Sequence, residues 1–140
     1  MIALALDVGE RRIGLALSDP SGLLATPLTT IHRTQEAADI DEVLRLAEEH
    51  DVENIVVGLP LELSGRRGPQ AGRVMAFTRA LIDRTAVPVV TVDERYSTVE
   101  AERRLRDSGV KPSKDRARVD AAAAAVILES YLDAQREGNP

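Results

Sequence analysis

Residues 2–32 limit the fold more than any other part of the chain. Three strand-like segments, IALALDV (2–8), RIGLALSD (12–19) and LLATPLTTIH (23–32), follow one another with only GERR and PSG between them. Connections that short, built from Gly, Pro, Ser and charged residues, are turns, so the segments must fold back on each other as an antiparallel meander. The rest of the chain alternates instead. Ile40, Val43, Leu44 and Ala47 recur at the spacing of an amphipathic helix, with Thr34 placed to cap its start. ENIVVGLP reads as a short buried strand ended by Gly58 and Pro60. LELSGRRGP reads as an exposed loop, followed by a helix with Ala71, Val74, Met75, Thr78, Leu81 and Ile82 as its apolar positions. VPVVTVDE is expected to be another buried strand. Apolar strands alternating with helices imply right-handed parallel crossovers. The expected class is therefore α/β, a mixed sheet with helices packed on it.

Beyond the last strand, STVE at residues 97–100 has the pattern of a capping box, and Gly109 ends the helix that it opens. VKPSKDRAR is expected to be a polar, basic loop leading into the final helix, where Asp120, Ala123, Ala124, Ile127 and Tyr131 share a face. An acid thus lies on a buried stripe. Residues 121–125 are all alanine, which makes a helix slim enough for its backbone to approach a sheet, although alanine is also the best helix former.

A chain of 140 residues suits one domain, and 44% hydrophobic with 29% charged residues is the balance of a soluble globular protein. With no cysteine, neither a disulfide frame nor a thiolate metal site is possible. The longest apolar run, within VDAAAAAVIL, is far too short to span a bilayer, and no leader precedes the first strand, so cytoplasmic residence without a membrane partner is expected. Net charge is −5 but uneven. Residues 36–53 hold eight acids against Arg45 alone, whereas residues 95–118 hold eight bases against four acids. A basic patch on an acidic protein can bind phosphate locally, and solvated helix faces are the ordinary alternative.

Ligands of open α/β sheets gather at the carboxyl ends of parallel strands. Asp7 ends the first strand, Asp93 and Glu94 end the last, and Asp120 begins the last helix. Brought together, their oxygens would suit Mg²⁺ or Mn²⁺, hard cations that take carboxylates. His32 and His50 are isolated and read as surface residues. Each acid also has an ordinary use: Asp7 in an Asx turn before Gly9, Glu94 paired with Arg95 or Arg11, Asp120 at the positive end of a helix dipole. Their coincidence at adjoining strand ends favours chemistry, because crowded carboxylates repel unless a cation relieves them.

Four blocks spanning nearly the whole chain, DVGERRIGLALSD, IVVGLPLELSGRRGPQA, VDERYSTVEAERRL and VDAAAAAVILESYL, resemble the YqgF family, also called RuvX. These are RNase-H-like proteins similar to Holliday-junction resolvases. The resemblance implies a single RNase-H-like nuclease domain over residues 1–140, with a five-stranded mixed sheet and helices on both faces. It also implies a catalytic, metal-holding set of Asp7, Glu94 and Asp120. Two ions of Mg²⁺ or Mn²⁺ about 4 Å apart would be held there, with Asp7 bridging them, for phosphodiester hydrolysis. Adjacent strand residues face opposite ways, so only one of Asp93 and Glu94 enters the site; Glu94 is preferred. Arg11, Arg66, Arg67, Arg95, Lys111, Lys114, Arg116 and Arg118 are the candidate nucleic-acid contacts, directed at the backbone rather than at bases.

Glu62 and Ser64 stand where family members often carry Asn and Asp, so a hydrogen bond from that loop is not carried over; Gly58, Gly65 and Gly68 keep its shape. With Phe77, Tyr96 and Tyr131 the only aromatic residues, and Phe77 read as core, recognition by shape and backbone is expected rather than base stacking. The implied substrates are structured RNA first, the 5′ end of the small-subunit ribosomal RNA precursor, and branched DNA second. A monomer suffices for one RNA end, and a homodimer suits two symmetric cuts in a four-way junction. Two other readings stay open: a non-catalytic RNA- or ribosome-binding adaptor on the same fold, and the first phosphate loop of actin-like ATPases, which DVG before a hairpin also resembles.

Overall fold

The computed structural model describes residues 1–61, 64–94 and 97–137. The meander forms as the turn residues require. Strands β1 (Ala3–Val8), β2 (Arg12–Ser18) and β3 (Ala25–His32) pair antiparallel in succession. Helix α1 (Glu36–Glu49) crosses over to β4 (Asn54–Leu59), which lies parallel to β1, and α2 (Pro69–Ile82) crosses to β5 (Val89–Asp93), parallel to β4. The sheet runs β3-β2-β1-β4-β5. Helix α3 (Ser97–Asp107), one 3-10 turn (Pro112–Lys114) and α4 (Arg116–Arg136) follow.

Strand alternation sorts the central strands by size. Leu4, Leu6 and Val8 of β1 join Ile13, Leu15, Ile55 and Val57 in one core, covered by Ile40 and Val43 of α1 and by Val74, Phe77 and Leu81 of α2. The opposite face carries Ala3, Ala5, Ala16 and Val56, met by Ala124, Ala125, Ile127 and Leu128 of α4. Helices thus cover both faces. Each fully buried large side chain contributes roughly 1.5–3 kcal/mol, so most apolar stabilisation lies on the α1/α2 side. The α4 side gives up volume for closeness. A Cβ on Gly14 would stand 2.0 Å from the Asp120 carbonyl oxygen, and one on Gly58 would stand 2.4 Å from Ile127 Cδ1. Helix α3 packs outside α4, with Ala101 against Val119, Ala122 and Ala123, and the Arg104 guanidinium donates two bonds of 2.8 Å to Glu129.

Several local expectations are corrected. Strand β5 is not buried: Val90, Thr91 and Asp93 are exposed, because it is the sheet's edge, and burial follows a strand's place rather than its composition. Gln35, not Thr34, is the N-cap of α1 and makes no side-chain cap bond. The Thr34 N–H instead donates to Asp39 Oδ1 at 3.0 Å, and Asp39 Oδ2 accepts from Arg33 Nε at 3.1 Å. In α2 Ala71, Val74, Thr78 and Leu81 are buried as expected, with Phe77 among them, while Ile82 is exposed. Ser97 is the first residue of α3 rather than its cap, and the Glu100 carboxylate is directed along the helix at Arg103 and Arg104. Helix α4 begins at Arg116, capped by Asp115, whose carboxylate accepts from the Arg118 N–H at 3.1 Å. Residues 116–118 therefore belong to the helix rather than to the loop, and Asp120 sits about a turn inside it. Among the described residues no helix is long and apolar enough to cross a membrane.

Candidate active site

Asp7 is the penultimate residue of β1, on the face shared by Ala3 and Ala5, and its partner across the β1–β2 ladder is Gly14. Because Gly14 has no side chain, the main chain of α4 settles against it at Asp120, which brings the second acid to the side of the first. Glu94 arrives from the other direction. It follows β5, and its N–H donates to the Leu59 carbonyl at 3.1 Å, which ties it to the end of β4. Two hollows meet at Asp7. One, of about 240 Å³, is lined by Asp7, Gly9, Glu10, Arg11, Arg12 and Asp120. The other, of about 390 Å³, places Asp7 with Glu94, Pro60, Leu61, Gly68 and Pro69 among its walls.

Electrostatics follow from that crowding. Burial chiefly, then the charge of Asp120 and then that of Glu94, pushes the Asp7 carboxyl up to about 7. Glu94 is also raised, first by burial and then by Asp93. Desolvated like charges disfavour ionisation, so the site resists holding all its carboxylates charged at once. A direct counter-charge lies at the rim, where Arg12 Nε donates to Asp120 Oδ2 at 2.5 Å. Sequence reasoning missed Arg12. The signal was the alternation of β2, which puts Arg12, Gly14 and Ala16 on the face of Asp7.

The donor set is oxygen only, the chemistry of hard divalent cations. Among the described residues no three Asp, Glu or His side chains form, as they stand, a group that could enclose an ion. Asp120 is turned to Arg12 instead. The three acids fit Mg²⁺ or Mn²⁺ in kind and in neighbourhood, with one oxygen of Asp120 already engaged by Arg12.

The candidate nucleic-acid contacts separate into groups. Arg11 is exposed on the β1–β2 hairpin and lines the hollow of Asp7 and Asp120. Arg66 and Arg67 are exposed on the loop that enters α2 beside Gly68 and Pro69, which wall the hollow of Glu94. Lys111, Lys114, Arg116 and Arg118 are exposed on the 3-10 turn and the first turn of α4, the helix that carries Asp120. Arg116 is drawn to Glu102 at 3.2 Å. Arg95, Tyr96 and Glu62 lie outside the described residues. Part of the basic run is structural, since Arg103 pairs with Glu100 and Asp107 along α3 and Arg104 bridges to Glu129. His32 is exposed, and His50 closes the end of α1.

A five-stranded mixed sheet with this strand order and helices on both faces is an RNase-H-like fold. The fold matches that of Thermus thermophilus RuvC, solved in complex with a Holliday junction substrate, at a TM-score of 0.60 and 15% identity, covering 99% of this chain and 98% of that one. A fowlpox virus resolvase, also solved with Holliday junction DNA, matches at 0.57 and 12% identity, covering 96% and 99%. The chain belongs to the RuvX family, described as "Holliday junction resolvase", which it matches over residues 1–134. A relative from Chloroflexus aurantiacus named "Putative pre-16S rRNA nuclease" is 49% identical over 99% of this chain and 90% of its own length. One of the same name from Roseiflexus sp. is 48% identical over 95% and 94%.

Proposed function

We propose that the chain is a divalent-metal-dependent nuclease that hydrolyses phosphodiesters in structured nucleic acid. Its first substrate is the precursor of 16S ribosomal RNA, cut at the 5′ end in the cytoplasm, with four-way DNA junctions as a second. The observation that carries this reading is the burial of Asp7 between Asp120 and Glu94 at the strand ends of an RNase-H-like sheet. The names of its relatives support the RNA, and the fold's likeness to junction resolvases supports the DNA.

Asp7, Glu94 and Asp120 would hold Mg²⁺ or Mn²⁺, Asp7 being common to both hollows. Bound there, the cations supply an activated water and charge to stabilise the leaving oxygen. The protein's own part is positioning. Main-chain contact at Gly14 fixes Asp120, the β4–β5 ladder fixes Glu94, and Arg11, Arg66, Arg67, Lys111, Lys114 and Arg118 grip phosphates without reading bases. One cut at an RNA end needs only a monomer, whereas symmetric cuts in a junction need a homodimer.

The test is cleavage of a labelled 16S precursor and a labelled four-way junction, with Mg²⁺ or Mn²⁺, by wild type and by Asp7→Asn. Cleavage by wild type alone supports the nuclease, and the better substrate names its pathway. If neither protein cuts, the protein is a non-catalytic adaptor that binds RNA or the ribosome; if both cut equally, Asp7 is a turn residue and the chemistry lies elsewhere.

A further inference from the structure

The ion pair between Arg12 and Asp120 joins residues 108 positions apart and places a fixed cation on one of the three acids. Three features make it more than a surface pair. First, it sits within the hollow that Asp7 and Asp120 line together, so Arg12 faces the place a reacting phosphate would enter. Second, both partners are substantially covered, with side-chain exposures of 27% and 19%, which strengthens the pair relative to exposed ones. Third, among the described residues Arg12 engages Asp120 through Nε alone, at 2.5 Å on Oδ2, which leaves Arg12 a guanidinium edge to offer to another anion.

Arg12 is also held in place by its backbone. Its carbonyl accepts the Gly9 N–H at 2.9 Å to close the β1–β2 hairpin, and it pairs with His32 across the β2–β3 ladder. A guanidinium on a rigid strand end, with a flexible stem, can exchange one oxyanion for another without moving the fold. Arginine suits that exchange because its planar fork matches phosphate as well as carboxylate.

We propose that Arg12 is a phosphate-binding residue kept in reserve on Asp120: a divalent cation and Arg12 compete for that carboxylate, and the displaced guanidinium takes hold of the substrate phosphate at the same hollow. The proposal rests on the nuclease reading above and assigns the site a step order, cation first and phosphate second. Arg12 on Asp120 stands in for the missing positive charge and keeps the acid oriented. Arg12 on phosphate adds a contact at the reacting group.

The competition is measurable without cleavage. Calorimetric titration of Mn²⁺ into wild type, Arg12→Gln, Arg12→Lys and Asp7→Asn, with no nucleic acid present, reads the cation site directly. Removing the competitor in Arg12→Gln is expected to tighten Mn²⁺ binding about tenfold, within the usual range for coupled sites, while Arg12→Lys stays near wild type. With Ca²⁺ in place of Mn²⁺, a non-cleavable RNA should bind Arg12→Gln more weakly than wild type. The wild-type protein gives a check that needs no variant, because the Arg12 Nε–H resonance should shift when Mg²⁺ is added and again when RNA follows.

Equal or weaker Mn²⁺ binding by Arg12→Gln, or an Nε–H resonance unmoved by Mg²⁺ that wild type demonstrably binds, overturns the exchange and leaves the nuclease reading standing. Mn²⁺ binding that is absent from wild type, or indifferent to Asp7→Asn, takes down the metal site and the exchange with it.

Discussion

Asp7 carries its proton to a pH far above its usual 3.8, up to about 7, because burial and two acidic neighbours disfavour its charge. In the metal-free protein that raised value favours folding of the protonated form. The contribution is complete below the unfolded value and is lost as pH rises through the folded one, so stability in EDTA falls between about pH 4 and pH 7 from this group. Asp7→Asn keeps the shape without the charge. Since one pKa unit corresponds to about 1.4 kcal/mol, the variant should be about 2–4 kcal/mol more stable than wild type near pH 8 and equal to it near pH 4. Denaturant unfolding at the two pH values checks this, and a destabilised variant at the higher pH would mean that the charge is already matched. Asp39 is the contrasting acid. It is 2% exposed yet matched by Arg33 Nε and the Thr34 N–H, so Asp39→Ala should cost about 3 kcal/mol by stranding its partner, readable in the same experiment.

Helix α4 depends on what lies beneath it. Gly14→Ala would place a methyl 2.0 Å from the Asp120 carbonyl oxygen, a main-chain atom that cannot rotate away. The helix would have to rise, at a cost of about 2 kcal/mol or more, and Mn²⁺ affinity should fall with it. Gly72 in α2 meets nothing within 4 Å of its added Cβ, so Gly72→Ala should gain about 0.5–1 kcal/mol and leave Mn²⁺ binding unchanged. Thermal melts with Mn²⁺ titrations on both variants separate the two cases. The same elements mark what could be read in advance. The meander, the crossovers and the neighbourhood of Asp7, Glu94 and Asp120 were legible, because turn residues and periodicity are local and parallel crossovers bring strand ends to one edge of a sheet. The exposure of β5 was not, since VPVVTVDE gives no sign of whether a further strand covers it. Neither was the start of α4 at Arg116, where basic residues on an exposed first turn look like loop, nor the bond of Arg12 to Asp120, which only tertiary structure brings about.

The whole molecule is acidic, at −5, yet its positive charge is placed unevenly around the site. Arg45 is matched by Glu42 and Glu49 on α1, whereas Lys111, Lys114 and Arg118 stand exposed near the start of the helix that bears Asp120. Affinity for RNA should therefore fall steeply with salt despite the net charge. Lys114→Ala should reduce the slope of log K against log salt by about 0.7–0.9, one phosphate contact, without changing sequence preference. Filter binding over a salt series measures it, and a flat dependence would remove these residues from the interface. The seat of α4 on Gly14 has a consequence at this scale. Main chain resting on main chain leaves no rotamer in the gap, so the separation of the β1–β2 and α4 backbones beside Asp7 and Asp120 is gauged by peptide atoms. The leucines, isoleucines and valines under α1 and α2 can be exchanged for one another over evolutionary time, on the far side of the sheet, without detuning the pair.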